Sequence, residues 1–118
     1  MLIFIDAKED VMTLNQPVYD FKAGFFKALA HPSRIRILEL LRDGEKSVNE
    51  LQPALGLEPS NISQQLAVLR SADIVVGRKQ GANVFYTVKS RLIYVLLDAA
   101  KDLFNESLSQ KIKLLESL

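Results

Sequence analysis

Apolar residues return along this chain at two different periods, and the change from one to the other lays out its elements. Val18, Phe21, Phe25 and Leu29 recur at helical spacing, which predicts a first helix following Pro17. Ala30-His31-Pro32-Ser33 interrupts it. Proline suits the first turn of a helix, where its missing N–H loses no partner. A second helix is therefore expected from Pro32 to about Arg42, with Ile35, Leu38 and Leu41 inward and Asp43-Gly44 closing it. His31, just ahead of that proline, reads as a hydrogen-bonding residue at the helix start. Ser47 with Glu50 three residues on forms a capping box, opening a short third helix through Leu51 and Leu55 that tolerates Pro53 and ends at Gly56. Pro59 starts a fourth helix, with Ile62, Leu66 and Leu69 on one face. After Asp73 the period changes. Ile74-Val75-Val76 and Val84-Phe85-Tyr86-Thr87-Val88 are rich in β-branched and aromatic residues, and the polar stretch between them holds two glycines, as in a β-hairpin. From about Ser90 helical spacing resumes in two adjacent stripes. One is Ile93, Leu97, Ala100, Phe104, Leu108, Ile112 and Leu115; the other is Leu92, Leu96, Ala99 and Leu103. So wide an apolar arc exceeds one contact, so this helix is expected to pack on its own domain and on a partner.

The order helix, helix, helix, turn, helix, hairpin, helix fits a mainly α (α+β) fold. It is a winged helix-turn-helix of about five helices with one β-hairpin wing, dimerising through the N-terminal and long C-terminal helices. Phe21, Phe25, Ile93, Leu97, Ala100, Phe104 and Leu108 are the expected dimer interface, with Tyr94 packing beside Phe104. Residues 1–16 show no clear period and read as an N-terminal arm in which Met12 is a candidate alternative start. Residues 17–118 form the single DNA-binding and dimerisation domain, a usual size for one core.

Composition narrows the chemistry. Cysteine is absent, which removes disulfides, thiolate metal sites and thiol switches, and His31 is the one histidine. No nucleophile, base and orienting group stand in a readable constellation, so an enzyme is not expected. No apolar run approaches the ~20 residues of a membrane span, and the N-terminus lacks a basic leader; the expected location is the cytoplasm, with no membrane partner. The net charge of +1 is unevenly spread. Between Glu58 and Arg91 the cations Arg70, Arg78, Lys79, Lys89 and Arg91 face only Glu58 and Asp73, whereas the first twenty residues lean acidic.

The fourth helix is the candidate reader of double-stranded DNA. Opposite its apolar face lie Ser60, Gln64, Ala67 and Ser71, flanked by Asn61 on one side and Ser63 and Arg70 on the other. Short polar groups can approach base edges, and Asn and Gln can pair with adenine, whereas a merely solvated face more often carries Lys and Glu. The wing tip, Arg78-Lys79-Gln80-Gly81-Ala82-Asn83, suits phosphate contacts through its cations and groove contacts through Gln80 and Asn83. A winged module that binds protein instead is the alternative, and it would carry apolar residues at this tip.

Three segments carry a resemblance: Ala28-Leu-Ala-His-Pro-Ser-Arg-Ile-Arg-Ile-Leu38, Leu57-Glu-Pro-Ser-Asn-Ile-Ser-Gln-Gln-Leu-Ala-Val-Leu-Arg70, and Val76-Gly-Arg-Lys-Gln-Gly-Ala-Asn-Val-Phe-Tyr86. From about Phe25 to Phe104 the chain resembles the ArsR/SmtB-type bacterial repressors. The resemblance implies a homodimer whose recognition helices enter successive major grooves of an imperfect palindrome. By motif match, the contacts fall on Ser60, Ser63 and Gln64, joined by Asn61 and Gln65. The sensing half departs from the family. Its Cys-x-Cys metal pair falls on Ser47 and Asn49; its Asp-x-His pair falls on Ser90 and Leu92, and the completing histidines on Leu103 and Glu106. Neither Ser nor Leu replaces thiolate or imidazole, so no metal and no cofactor are expected. Asp98, Asp102 and Glu106, spaced one turn apart, read as a solvated face rather than a cation site. A small-molecule effector is left unidentified.

Overall fold

The computed structural model describes residues 7–118, with side chains from residue 15 onward. Helix α1 spans Ala7–Leu29 and holds Pro17 inside it, so the first helix begins well before the proline that was expected to precede it. Residues 7–16 are thus a continuation of α1; residues 1–6 of the expected arm lie outside the described residues. Ala, Lys, Glu, Met, Leu and Gln in this stretch are good helix formers, and they carry the helix through Pro17 although it lacks the N–H that would have bonded the Thr13 carbonyl and its ring crowds that carbonyl.

Helix α2 (Pro32–Leu40) is capped by His31, whose Nδ1 accepts the Ser33 N–H at 3.2 Å. It tightens into a 3₁₀ turn over Leu41–Asp43. Helix α3 (Val48–Leu55) starts at the expected capping box: the Glu50 N–H donates to Ser47 Oγ at 3.3 Å, and the Ser47 N–H donates to Glu50 Oε1 at 3.1 Å. Gly56, at φ 65°, closes α3 in a left-handed conformation that a side chain would strain. Helix α4 follows over Pro59–Ser71.

Strands β1 (Val75–Gln80) and β2 (Asn83–Val88) pair antiparallel from Val75–Val88 to Gln80–Asn83. Only Gly81 and Ala82 join them, and Gly81 takes φ 62° at the first central position, where a tight hairpin turn of this hand favours glycine. Lys46 adds a short rung at the other edge, exchanging backbone hydrogen bonds with Tyr86 at 3.1 and 2.9 Å. The wing is thereby tied to the start of α3.

The core gathers Ile37, Leu38 and Leu41 with Leu51, Leu55, Ile62, Leu66 and Leu69, under Ile74 and Val75. In α2 Leu38 and Leu41 are buried as expected, but Ile37 rather than Ile35 joins them, because helices α3 and α4 pack on that side and leave Ile35 exposed. Helix α5 (Leu92–Glu116) enters the buried core at its first turn, and Leu97 one turn on packs against it. Ile93 and Tyr94 are buried there, so neither belongs to a dimer interface as expected. Tyr94 is 4% exposed and donates its hydroxyl to the Leu38 carbonyl at 2.7 Å, with the guanidinium groups of Arg42 and Arg91 over its ring at 4.5 and 5.0 Å. Burial pushes its phenol pKa above the ordinary tyrosine value. Tyr94→Phe would leave the Leu38 carbonyl without this donor, and should cost about 1–2 kcal/mol in a urea titration.

Beyond these turns α5 leaves the domain. The radius of gyration is 19.2 Å, against about 13–14 Å for a compact chain of this length. The two terminal helices project from the body, and much of their apolar surface has no cover among the described residues.

Candidate nucleic-acid interface

The turn between α3 and α4 is short. The Gly56 N–H donates to the Gln52 carbonyl at 2.9 Å, and Gln52 Nε2 reaches the Leu57 carbonyl at 3.4 Å. Leu57 packs against the core, which sets the angle at which α4 leaves. With Ile62, Leu66 and Leu69 fully buried behind it, α4 presents Ser60, Ser63, Gln64, Ala67, Arg70 and Ser71 to solvent. The start of α4 has no side-chain cap, since Glu58 makes no capping hydrogen bond. In its first turn Pro59 has no N–H and the Asn61 N–H donates to the Glu58 carbonyl at 3.0 Å, so the Ser60 N–H is the one left at the positive dipole end.

Asn61 and Gln65 are placed differently from the rest of the expected contact set. Both are half-buried and joined to each other, Gln65 Nε2 donating to Asn61 Oδ1 at 3.1 Å. Arg34 of α2 donates to Gln65 Oε1 at 2.9 Å, and its Nε to the Ala28 carbonyl at 2.6 Å. Sequence reasoning missed Arg34 altogether. Its one local signal is a cation beside the inward stripe of α2, and its partner lies thirty-one positions away in sequence.

In the wing, Arg78 pairs with Glu45 at 2.6 Å, donates to Gln80 Oε1 at 2.7 Å and lies over the Phe85 ring at 5.3 Å. The Glu45 hydrogen bond raises the pKa of its guanidinium above the ordinary arginine value. Arg78 and Gln80 are thus engaged along the wing's flank, while Lys79, Gly81 and Asn83 are exposed at its tip. Lys89 pairs with Asp73, and Arg91 donates to the Arg42 carbonyl. Of the five cations in this stretch, Arg70, Lys79 and Arg91 make no ion pair among the described residues, and Arg91 is held by the Arg42 carbonyl. A cleft of about 280 Å³ lies beside the wing, with Ser47, Val48 and Asn49 at the start of α3 and Ser63 of α4 on one side and Ala82, Asn83 and Tyr86 on the other.

Gly77 lets the wing close up. A Cβ there would sit 3.0 Å from Val84 Cγ1 and 3.3 Å from the Tyr86 ring. Gly77→Val should displace the Val84 and Tyr86 side chains within the hairpin, which chemical-shift changes centred on those two residues would report.

The remaining expected dimer residues divide. Phe21 and Phe104 are 65% and 64% exposed and Leu108 45%, with Ala100 also exposed; Phe25 and Leu97 are half-buried against the core. Phe21 stacks on Phe25 at 5.9 Å, and these rings line an apolar trough of about 510 Å³ between α1 and α5. Asp98, first of the row of acidic residues, is held by Arg42 at 2.8 Å, a hydrogen bond that keeps its carboxyl below the usual carboxylate range. Among the described residues no three His, Cys, Asp or Glu side chains converge on a possible metal position. No helix among them is long and apolar enough to cross a membrane.

A buried-backed polar helix after a tight turn, followed by a hairpin projecting beside it, defines a winged helix-turn-helix. Residues 31–76 match the family described as bacterial regulatory protein, arsR family. The chain is 47% identical over 105 residues to the HTH-type transcriptional regulator Rv0081 of Mycobacterium tuberculosis, spanning 88% of this chain and 92% of that protein. The crystal structure of Rv0081 matches with a TM-score of 0.73 over 81% of this chain and 97% of the other. The transcriptional repressor SmtB homolog of Synechocystis is 37% identical over 98 residues, 83% of this chain and 73% of its own. The solution structure of the homodimeric winged helix-turn-helix DNA-binding domain Mb0332 of Mycobacterium bovis matches with a TM-score of 0.69 at 27% identity, over 93% and 95% of the two chains. The chain belongs to the arsR family of bacterial transcriptional regulators, a family of regulators rather than enzymes.

Proposed function

We propose that the protein is a homodimeric repressor that binds a palindromic operator in double-stranded DNA, with α4 in the major groove and the wing on the adjacent backbone. The observation that carries this reading is the face of α4: short hydrogen-bonding side chains outward, three fully buried leucine and isoleucine residues behind. Ser60, Ser63 and Gln64 read base edges, Arg70 and Lys79 hold phosphates, and Asn83 faces the groove from the wing. Arg78, Gln80 and Gly81 shape the wing that presents them. Dimerisation through Phe21, Ala100, Phe104 and Leu108 is supported by their exposure and by the homodimeric state of the Mycobacterium bovis domain. The polar wing tip disfavours a protein-binding module, and the reading calls on no metal or cofactor.

Mobility shifts with the DNA upstream of its own gene test the division of labour. Gln64→Ala should weaken specific binding by roughly tenfold or more while the salt dependence is kept. Lys79→Ala should weaken binding on all sequences alike and reduce the log–log salt slope by about 1 for each phosphate no longer neutralised. If neither substitution changes binding, this surface is not the one that meets DNA.

A further inference from the structure

Arg34 contacts neither the exposed face of α4 nor the wing, yet it dictates how one residue of α4 meets DNA. A guanidinium carries only donors. The atom of Gln65 that faces Arg34 at 2.9 Å is therefore its oxygen, which turns the Gln65 NH₂ toward Asn61 at 3.1 Å. An NH₂ offers no acceptor, so Asn61 answers with Oδ1 and its own NH₂ is the end left over. Arg34 is itself fixed: its Nε and Nη2 donate to the Ala28 and Lys27 carbonyls at 2.6 and 3.4 Å, closing the end of α1. Asn61 is the third residue of α4, in the part of a recognition helix that reaches base edges.

We propose that Arg34 is a positioning residue for base reading: acting through Gln65, it fixes Asn61 as a hydrogen-bond donor, so that each half-site presents an acceptor edge there. Guanine, with O6 and N7, thymine, with O4, and adenine, through N7, supply that edge; cytosine, which shows only its N4 donor, does not. Gln65 is on this account a link in the relay and makes no base contact of its own. The proposal rests on the DNA-binding reading above and adds the polarity of one contact to it.

Gln65→Glu inverts the relay without emptying it. The carboxylate keeps its bond to Arg34 but offers Asn61 only an acceptor. Asn61 then turns its NH₂ inward and shows Oδ1 to DNA, and the favoured edge becomes a donor, adenine N6 or cytosine N4. Site selection from a randomised duplex library, with the full chain, reads this out. Wild type should select against cytosine at one position of each half-site; Gln65→Glu should move that position alone toward cytosine or adenine and away from guanine and thymine, by about tenfold in relative affinity. Arg34→Met, which cannot hold Gln65, should flatten the preference at that position, and Arg34→Lys should restore part of it. A purely structural role for Arg34 lowers affinity without moving a base preference. If Gln65→Glu selects the wild-type base at every position, the relay is overturned while the DNA-binding reading stands. Should Gln65→Glu fail to fold, an undiminished preference in Arg34→Met overturns it equally. If wild type selects no sequence at all, the DNA-binding reading and the relay fall together.

Discussion

Replacing Phe104 and Leu108 together with lysine should turn the proposed dimer into monomers and weaken operator binding by at least about a hundredfold. Both side chains stand clear of their own chain's core, at 64% and 45% exposed, so the substitutions remove nothing that holds the monomer together. Four like charges brought onto one seam repel, and the burial that drives association is removed. A monomer offers one reading helix where the dimer offers two, and linked binding commonly adds a factor of 10² to 10⁴ with no new contact. Sedimentation would show the change in mass and circular dichroism the retained helices. A variant that stayed dimeric at full affinity would move the interface away from the outer part of α5.

Leu66→Ala should be the most damaging single truncation within the reading helix. Leu66 is fully buried between α4 and the rest of the core. Removing its isopropyl group costs about 3 kcal/mol in transfer and cavity terms, a large part of the ~5–15 kcal/mol that holds a domain of this size. The thermal midpoint should fall by about 10 °C. Val68→Ala, on the same helix but 40% exposed, should change stability far less. Thermal melts of the two variants side by side check the packing; equal costs would mean that α4 does not dock through the Ile62–Leu66–Leu69 face.

Local pattern carried much of this architecture. The capping box at Ser47 and Glu50, the glycine closing α3 and the proline opening α4 are short-range devices, each legible in a few adjacent residues; the hairpin is legible too, but the polar stretch 77–83, which reads as its loop, is mostly paired strand closed by two residues. The exposed and buried faces of α4 follow from its period alone. What local pattern could not supply is the partner across space. A stripe along α5 does not say that Ile93 and Tyr94 face the chain's own core while Phe104 and Leu108 leave it, because that depends on where α2 lies. Pro17 reads as a helix start, yet the residues before it are helix formers and carry the helix through it. The same limit hid the engaged groups of the site. Glu45 precedes Arg78 by thirty-three positions and Arg34 precedes Gln65 by thirty-one, so a basic wing and an outward glutamine in the sequence become a paired arginine and a tethered amide in the fold.

Nuclease footprinting of the wild-type chain on its own upstream DNA, repeated across a salt series, tests the central claim most directly. The account predicts two protected half-sites whose centres lie about one helical turn apart. It also predicts a log–log salt slope of about −3.6 or steeper, since Arg70 and Lys79 from each of two protomers neutralise at least four phosphates at about −0.9 each. An unprotected fragment, or protection whose strength does not change with salt, would contradict it.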